Sequence, residues 1–287
     1  MQNTQDMIQR LNLSGSRLSK SHRRIAEYIL QHYDKAVFMT AAKLGEMVNV
    51  SESTVVRFAV ALGYEGYPEL QQALQELVRH RLTATQRFEM SSDISQEEVL
   101  STVLKADMQN IRSTIDGIDN AAFLRAVQVI SGAHRIYILG LRSAAPLAQF
   151  AGYYLHYIFD DVRVVAAGST DVFEAISRIE ASDVLLGISF PRYSSRTIEA
   201  MSFARSRHAQ VIGLTDGPMS PLHEVADICL SMRTDMASFV DSMAAPMSVI
   251  NALIVALGIQ NREALNARFK QLEEVWDAYS VYMNEGK

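Results

Sequence analysis

The sequence predicts a two-domain protein, in which an all-α N-terminal domain precedes an α/β three-layer sandwich with about five parallel strands. The first observation is length, because 287 residues exceed the roughly 100–200 residues of a typical domain. The second is that the chain before residue 83 shows short helical patterns without strand-like runs. The third is that apolar runs alternate with helical patterns from residue 134 onward, which is typical of a parallel sheet covered on both faces.

Composition excludes several classes of protein. Apolar residues make up 48% of the chain and charged residues 21%, which is the balance of a folded globular protein rather than a disordered one. The most apolar stretch, residues 244–259, is interrupted by proline and polar residues, so it falls short of the ~18 apolar residues that a membrane span needs. The polar residues 1–10 show no secretory signal. We therefore expect a cytoplasmic protein with no membrane partner.

The first helical pattern covers residues 18–36 and is amphipathic, with Ile25, Ile29 and Tyr33 on one face.

The formal charge is uneven along the chain: it is +1 over residues 1–80 and −6 over the remainder. Local fields matter more than the total for a small contact surface. The first pattern contains a basic cluster of this kind, formed by Lys20, Arg23 and Arg24.

Two short, well-capped helices follow the first one. We expect Thr40 to be the N-cap of a helix over residues 41–48, and Ser51 to be the N-cap of a helix over residues 52–62. Gly63 ends the second of these helices. Two short helices joined by three or four residues, the second of them well capped, have the spacing of a helix-turn-helix.

In a helix-turn-helix, the first residues of the second helix reach base edges of DNA. Serine and threonine bond bases or phosphates, arginine bonds guanine or phosphate, and glutamate accepts from cytosine N4. The inward face is expected to include Val55, Val56 and Phe58. A small helical interaction domain is the alternative, because capped helices are common. The residues predicted to contact DNA are Ser51, Glu52, Ser53, Thr54 and Arg57.

The string over residues 40–70 resembles the N-terminal domain of the RpiR family of bacterial transcription regulators. The resemblance extends from about residue 7 to residue 82 and is strongest in STVVRF (residues 53–58) and LGYEGYPEL (residues 62–70). It implies binding to a double-stranded DNA operator as a homodimer or homotetramer. Relatives often carry lysines late in the recognition helix, where this chain has Ala59, Val60 and Ala61.

A polar, Ser/Thr-rich stretch over residues 83–98 predicts a linker. A helix over residues 97–118 follows it, with one apolar face formed by Val99, Val103, Met108, Ile111 and Ile115. A helical tail over residues 241–283 follows the strands, with Asp241 or Ser242 as its expected cap. We therefore expect a helix-turn-helix domain at 1–82, a linker and connecting helix at 83–118, a ligand-binding domain at 119–260 and a C-terminal helix at 261–287.

Three loops follow the predicted strands, at residues 140–143, 189–197 and 215–221. Loops at the carboxyl ends of parallel strands are where doubly wound sheets bind ligands. The first two are rich in hydroxyl groups and open directly into helices. The free N–H groups at a helix N-terminus, together with hydroxyls and arginine, suit a phosphate. The alternative is that the serines and threonines only cap helices and the glycines only turn the chain.

Three strings in this region resemble the SIS (sugar isomerase) phosphosugar-binding fold: RIYILGLRSA, DVLLGIS with SSRT, and VIGLTDGPMSPLHEVAD. The resemblance covers about residues 120–260. It implies that Ser143 is the first-loop serine and that Ser189, Ser194 and Thr197 contact phosphate. Two departures stand out, because Arg142 occupies a position where many relatives have glycine, and the second loop carries an extra Pro-Arg-Tyr segment. The predicted ligand-binding residues are Gly140, Arg142, Ser143, Ser189, Ser194, Ser195 and Thr197.

Isomerases of the SIS fold need a base that moves a proton between adjacent carbons. The candidates are Glu174, Glu199 and His223, each of which is more simply a solvated helix residue. The seven histidines show no metal-ligand spacing, and the single Cys229 excludes a cysteine-based zinc site. We therefore expect no catalytic residue, no metal and no cofactor.

The expected function is that of a regulator whose SIS domain senses a phosphorylated sugar or amino sugar and controls genes of sugar metabolism. A sugar-phosphate isomerase with an accessory helical domain is the alternative. A sugar sensor that acts on a partner protein instead of DNA is a third possibility.

Overall fold

The computed structural model describes residues 19–37, 39–78, 83–89, 94–166, 171–236 and 239–282. The polar N-terminal segment and part of the predicted linker therefore lie outside the described residues. The contacts divide the chain into two compact units, residues 1–96 and residues 97–287. The connecting helix falls in the second unit.

The first unit is helical in its described residues. Its helices are α1 (Lys20–Gln31), α2 (Tyr33–Ala36), α3 (Ala41–Val48), α4 (Glu52–Ala61), α5 (Tyr67–Val78) and α6 (Ala84–Glu89).

The helix predicted over residues 18–36 is divided in two at His32. Ser19 caps α1, because its hydroxyl accepts a hydrogen bond from the backbone N–H of His22 at 3.2 Å. Ile25 and Ile29 of α1 are buried, as predicted.

The predicted inward face of α4 is partly wrong. Val55 and Phe58 are fully buried, but the side chain of Val56 is 37% exposed. Adjacent residues are turned by about 100° around a helix. Val56 is therefore turned away from the direction in which Val55 packs.

The turn between α3 and α4 depends on a glycine. Asn49 adopts the left-handed conformation with φ of 54°, which ends α3. The N–H of Val50 then returns to the carbonyl oxygen of Gly45 at 2.9 Å. A Cβ atom at Gly45 would lie 2.8 Å from the Val50 carbonyl oxygen, so a side chain there would force the two helices apart. Gly45 thus sets the close crossing that presents α4.

The second unit contains eight helices and five strands in its described residues. The helices are α7 (Val99–Gly117), α8 (Asn120–Gly132), α9 (Ala145–Ile158), α10 (Val172–Ile176), α11 (Ser195–Ser206), α12 (Leu222–Val225), α13 (Ala244–Gln260) and α14 (Arg262–Ala278). The strands are β1 (Ile136–Gly140), β2 (Val162–Val165), β3 (Val184–Ile188), β4 (Gln210–Thr215) and β5 (Ile228–Ser231).

The five strands form one parallel sheet in the order β2-β1-β3-β4-β5. One apolar core lies between the sheet and helices α8, α9 and α13. The other lies between the opposite face and helices α10, α11 and α12. β1 and β3 are buried at every position, which explains why they read as continuous apolar runs. The predicted three-layer α/β sandwich is confirmed.

Strand register brings the ends of three strands to one level. Gly140 at the end of β1 pairs with Ile188 at the end of β3, and Ile188 pairs with Leu214 of β4. The strand order reverses between β1 and β3, because β1 connects to β2 on one side while β3 to β5 extend on the other. A crevice at such a switch point, outside the carboxyl ends of the strands, is the usual ligand site of an open parallel sheet.

Helix α7 is held by polar side chains. Asn110 and Thr114 are buried, whereas Val103, Met108 and Ile115 of the predicted apolar face are exposed in this single chain. The periodic apolar pattern therefore predicted the helix correctly but did not identify the face that packs against the rest of the unit.

The predicted helical tail consists of two helices in its described residues. It breaks at Asn261, and α13 and α14 meet at 98°. Met243, not Asp241 or Ser242, occupies the N-cap position of α13. The Ser242 hydroxyl instead donates to Asp107 Oδ1 at 2.6 Å.

Among the described residues, no individual helix combines the length and apolarity of a membrane span. The bent pair formed by α13 and α14 meets that criterion by length and composition alone.

Candidate functional site

The N-terminal face of α4 presents a row of polar side chains. Ser51, Glu52 and Ser53 are exposed and Thr54 is half-buried. Ser51 occupies the N-cap position, as predicted, but its hydroxyl makes no capping bond to the backbone. It lies instead 3.0 Å from the Ser53 hydroxyl and 2.8 Å from the Thr54 hydroxyl. These hydroxyls form one cluster at the N-terminus of α4 that can donate to or accept from a nucleic acid.

Arg57 lies one turn further along α4 and is exposed. Its Nε donates to the Ser53 carbonyl oxygen at 3.2 Å, and Nη2 lies 3.4 Å from the Thr54 hydroxyl. The guanidinium is therefore held along the polar row. His22 of α1 packs edge-on against Phe58 with ring centroids 5.7 Å apart. Burial and the charge of the nearby Arg57 lower the pKa of His22, which favours the neutral imidazole.

In the second unit, the loop after β3 forms a cradle of hydroxyl groups. Ser189 is buried, and its hydroxyl accepts from the N–H of Ser194 at 3.2 Å. Ser194 caps α11 by accepting from the N–H of Thr197. Ser195, the first residue of α11, is exposed. The loop thus folds back over the end of β3 and opens into the positive end of a 12-residue helix.

Thr197 has an unusual environment within this cradle. Its side chain is fully buried in the first turn of α11. Its hydroxyl finds no hydrogen-bond partner among the described residues. Most buried polar groups are hydrogen-bonded, and leaving one unsatisfied costs about 1–3 kcal/mol. The unsatisfied hydroxyl keeps Thr197 a candidate ligand-binding residue.

The loop after β1 leaves the sheet next to the loop after β3, because the ends of the two strands are paired. Gly140 is buried at the end of β1, and a Cβ atom there would lie 2.6 Å from the Ala144 carbonyl oxygen. The glycine therefore lets a 3₁₀ turn and the start of α9 lie close against the strand. Arg142 and Ser143, in that 3₁₀ turn, are both exposed.

Two arginines in these loops have positive φ angles, 56° at Arg142 and 58° at Arg192. For an L-residue with a side chain, this left-handed conformation costs about 1–2 kcal/mol. Residues held in such conformations cluster at functional sites. Among the described residues, the others with positive φ and a side chain are Asn49, His208 and Ser280, none of which lies in a loop at this edge.

Two polar contacts hold the second loop in place. The Tyr193 hydroxyl donates to Asp216 Oδ1 at 2.7 Å, which ties the second loop to the third. Arg196 pairs with Asp171 at 2.8 Å, and its guanidinium lies 5.3 Å from the centre of the Phe173 ring. Sequence patterns indicated neither contact, because the partners are 23 and 25 residues apart and belong to no motif.

Comparison with protein families matches each unit. Residues 5–80 match the helix-turn-helix domain of the rpiR family, and residues 129–256 match the SIS domain. The chain belongs to the RpiR family of transcriptional regulators. Both resemblances seen in the sequence are thereby confirmed.

Relatives named as regulators align along nearly the whole chain. The HTH-type transcriptional regulator HexR of Escherichia coli is 26% identical over 275 residues, covering 94% of this chain and 93% of HexR. HexR of Pseudomonas aeruginosa is 25% identical over 276 residues, covering 94% of this chain and 95% of that protein. This RpiR-family chain is therefore a transcriptional regulator with a helix-turn-helix and a SIS domain.

Solved structures share the fold. The sugar isomerase domain of an RpiR transcription factor from Sphaerobacter thermophilus is 23% identical, with a TM-score of 0.59 over 62% of this chain and 99% of that one. The Vibrio vulnificus NanR protein complexed with ManNAc-6P is 20% identical, with a TM-score of 0.58 over 97% of this chain and 100% of NanR.

We predict that Arg57→Ala weakens binding to a DNA sequence that the unmodified protein selects from a random pool. The substitution removes the one cation of the polar row on α4. If the guanidinium contacts a guanine, the free energy of DNA binding should become less favourable by about 1–3 kcal/mol. Titration of labelled DNA at several salt concentrations measures both the affinity and its salt slope.

Arg125→Ala is the matched control, because Arg125 is an exposed helical arginine of the second unit. Unchanged affinity in Arg57→Ala, with both variants folded by circular dichroism, would remove Arg57 from the proposed DNA surface.

Proposed function

We propose that this RpiR-family regulator binds a double-stranded DNA operator through α4 and senses a phosphorylated sugar or amino sugar at the carboxyl edge of its sheet. It controls genes of sugar metabolism and acts as a homodimer or homotetramer. A two-fold dimer matches a palindromic operator whose half-sites lie about one DNA turn apart. Changes in the spacing of the two recognition helices would then alter affinity.

The buried hydroxyl of Thr197 is the observation that carries the effector part of this proposal. It lies in the first turn of α11, in the helix that follows β3 at the switch point of the sheet. The backbone N–H of Thr197 is bonded to the Ser194 hydroxyl, and the N–H of Ser194 to the Ser189 hydroxyl. A phosphate oxygen would accept the hydrogen bond of the Thr197 hydroxyl and would also meet the partial positive charge of the helix N-terminus. The complex of NanR with ManNAc-6P supports the same class of effector.

A route from this edge to the connecting helix runs through the segment after β5. The Asn110 side-chain amide of α7 donates to the Asp235 carbonyl oxygen at 2.7 Å and accepts from its N–H at 3.0 Å. The Thr114 hydroxyl accepts from the N–H of Arg233 at 2.8 Å. We infer that effector binding shifts α7 through these bonds. Such coupling requires that the effector bind one arrangement better than the other.

The geometry favours binding over turnover. Glu174 and Glu199, two of the three candidate bases for an isomerase, are exposed. His223 is also exposed, and its Nε2 lies 3.4 Å from the Ser231 hydroxyl rather than beside the hydroxyls of the second loop. A general base must lie within hydrogen-bond reach of the proton that it abstracts. We therefore propose a sensor without isomerase activity.

We predict that the double variant Ser189→Ala, Thr197→Ala loses the response of DNA binding to phosphorylated sugars and keeps DNA binding without them. Removing the Thr197 hydroxyl should not destabilise the protein, because that group has no partner among the described residues. The test measures retention of a selected DNA with and without each member of a sugar-phosphate panel.

Ser206→Ala is the control, because the Ser206 hydroxyl bonds the backbone at the other end of α11. A full response in the double variant would place the effector site elsewhere. Conversion of any sugar phosphate by the unmodified protein, abolished by changing Glu199 or His223, would establish the isomerase instead.

We predict that Asn110→Ala uncouples the two functions. Both Asn110 bonds to the Asp235 backbone are lost, so α7 should loosen while the loops at the carboxyl edge stay intact. The affinity for the effector should change less than threefold. The factor by which the effector alters DNA retention should fall about tenfold, because the loss of ~1.4 kcal/mol of coupling free energy between the two sites corresponds to a factor of ten. Calorimetry and DNA retention measure the two quantities.

Gln109→Ala is the matched control, because Gln109 is the exposed neighbour of Asn110 on α7. An undiminished DNA response in Asn110→Ala would show that coupling follows another route.

A further inference from the structure

We propose that a second copy of this chain packs on the aromatic surface formed by α9, α13 and α14, with the two α14 helices antiparallel across a two-fold axis. This inference rests on the proposed function, because it specifies the surface through which the proposed homo-oligomer forms. Two observations carry it. A continuous aromatic surface is left open in the single chain, and the charges of α14 are arranged to suit an antiparallel copy of the same helix.

The surface contains a continuous row of aromatic rings. Tyr157 of α9 lies at its centre, with its ring centre 5.3 Å from that of Tyr153 and 5.8 Å from that of Phe269 on α14. Trp276 extends the row, with its ring centre 6.4 Å from that of Tyr157 and 5.2 Å from that of Tyr282. The rings therefore join α9 to α14 as one apolar face.

Helix α14 has no buried residue in the part of the chain that the structure describes, although it extends over 17 residues. Most of the stability of a helix in a protein comes from the packing of its apolar face. The break at Asn261 turns α14 away from α13 at 98°. A groove of about 490 Å³ lies in this angle, bordered by Tyr157, Ile259 and Phe269 among others. Helix and groove together offer an apolar surface that the single chain leaves open.

The exposed area approaches one side of a stable interface. Tyr153, Phe269, Tyr279 and Tyr282 are between 37% and 79% exposed. An aromatic side chain presents about 150–250 Å², so these four contribute roughly 450 Å². Exposed aliphatic side chains of α13 and α14 bring the total toward the ~800 Å² that each partner contributes to a standard interface. Monomeric proteins rarely expose apolar patches larger than a few hundred Å².

The charges of α14 favour a second copy of this chain over an unrelated partner. The first nine residues of α14 carry three basic side chains and one acidic one, and the last eight carry three acidic side chains and no basic one. This order opposes the macrodipole of the helix itself, whose N-terminus favours anions and whose C-terminus favours cations. It suits a second α14 that runs antiparallel, because the basic half of each helix then faces the acidic half of the other.

One register satisfies two pairs of opposite charge. Arg262, Lys270, Glu273 and Asp277 fall within a sector of about 80° around α14, since each residue turns the helix by 100°. A two-fold axis near residue 270 places Arg262 opposite Asp277 of the second copy, and Lys270 opposite Glu273 of the second copy. The centres of the two pairs differ by ~3 Å along the helix. None of the four side chains forms an ion pair within the described part of the chain.

Charge reversal tests this pairing. Arg262→Glu and Asp277→Arg should each raise the dissociation constant of the dimer about tenfold or more, because like charges then face each other twice across the axis. The double variant should return it to within about threefold of the unmodified protein. Within one chain the two positions lie ~22 Å apart along α14, so this rescue arises only between copies. Both changes also suit the macrodipole of α14, so a melted helix cannot explain the loss.

Trp276 is the only tryptophan of the chain, so its fluorescence reports the burial of this surface. The experiment follows Trp276 emission and sedimentation of the full-length protein from nanomolar to micromolar concentration. We expect the emission to shift to shorter wavelength as the dimer forms. Arg125→Glu is the matched control, because it makes the same charge change at an exposed arginine of α8 and should associate like the unmodified protein.

Ile259→Glu is an independent variant, since Ile259 is 71% exposed in the single chain and its replacement should spare the fold. It should abolish the association, because the new carboxylate would be buried in the interface.

Single charge variants that associate as tightly as the unmodified protein, or a double variant no tighter than the singles, would overturn the antiparallel pairing. Association that survives Ile259→Glu and leaves Trp276 emission unchanged would overturn the surface. A monomer at every concentration would overturn the surface together with the proposed homo-oligomer, and would leave the proposed operator and effector binding standing. In that case, a shift of Trp276 emission on adding vesicles of anionic lipid would assign the surface to a membrane instead.

Discussion

The register of the parallel strands is the constraint on which the candidate effector site depends. Backbone hydrogen bonds pair Gly140 with Ile188, and Ile188 with Leu214, so the loops that follow β1, β3 and β4 leave the sheet at one level. The strand order reverses between β1 and β3 there, and such a switch point is the usual ligand site of an open parallel sheet. A shift of one residue in the pairing of β1 with β3 would displace the hydroxyl cradle relative to the loop after β1.

The same edge also connects the candidate effector site to helix α7. β5 pairs in parallel with β4, and the segment that leaves β5 is bonded through its backbone to Asn110 and Thr114. Burying a polar side chain costs free energy unless the side chain is hydrogen-bonded. The Asn110 and Thr114 side chains are bonded to backbone groups that belong to no strand. Their geometry therefore specifies one position of α7 against the segment that follows β5. An apolar contact of equal area would tolerate sliding, which makes the polar attachment better suited to transmit a small displacement.

Much of the fold could be predicted from local pattern. The apolar letters VLLGI within the string DVLLGIS coincide with β3, and Thr40 caps α3 as its hydroxyl chemistry predicts. Predictions failed where tertiary contacts override periodicity: Val56 is exposed, and Asn110 rather than the apolar stripe of α7 is buried. The hydroxyls of the second loop were identified because they precede a helix. Neither the conformation of Arg192 nor the Tyr193–Asp216 bond leaves a sequence signal, because φ angles and contacts between separate loops arise only in the folded chain.

The most direct test of this account is selection of DNA from a random pool by the purified full-length protein, repeated with and without each member of a panel of phosphorylated sugars. The account predicts an enriched palindrome with half-sites about one DNA turn apart, and retention of that palindrome should change with at least one phosphorylated sugar. No enriched sequence would contradict the proposed operator binding. An enriched palindrome whose retention ignores every phosphorylated sugar would contradict effector control through the SIS domain.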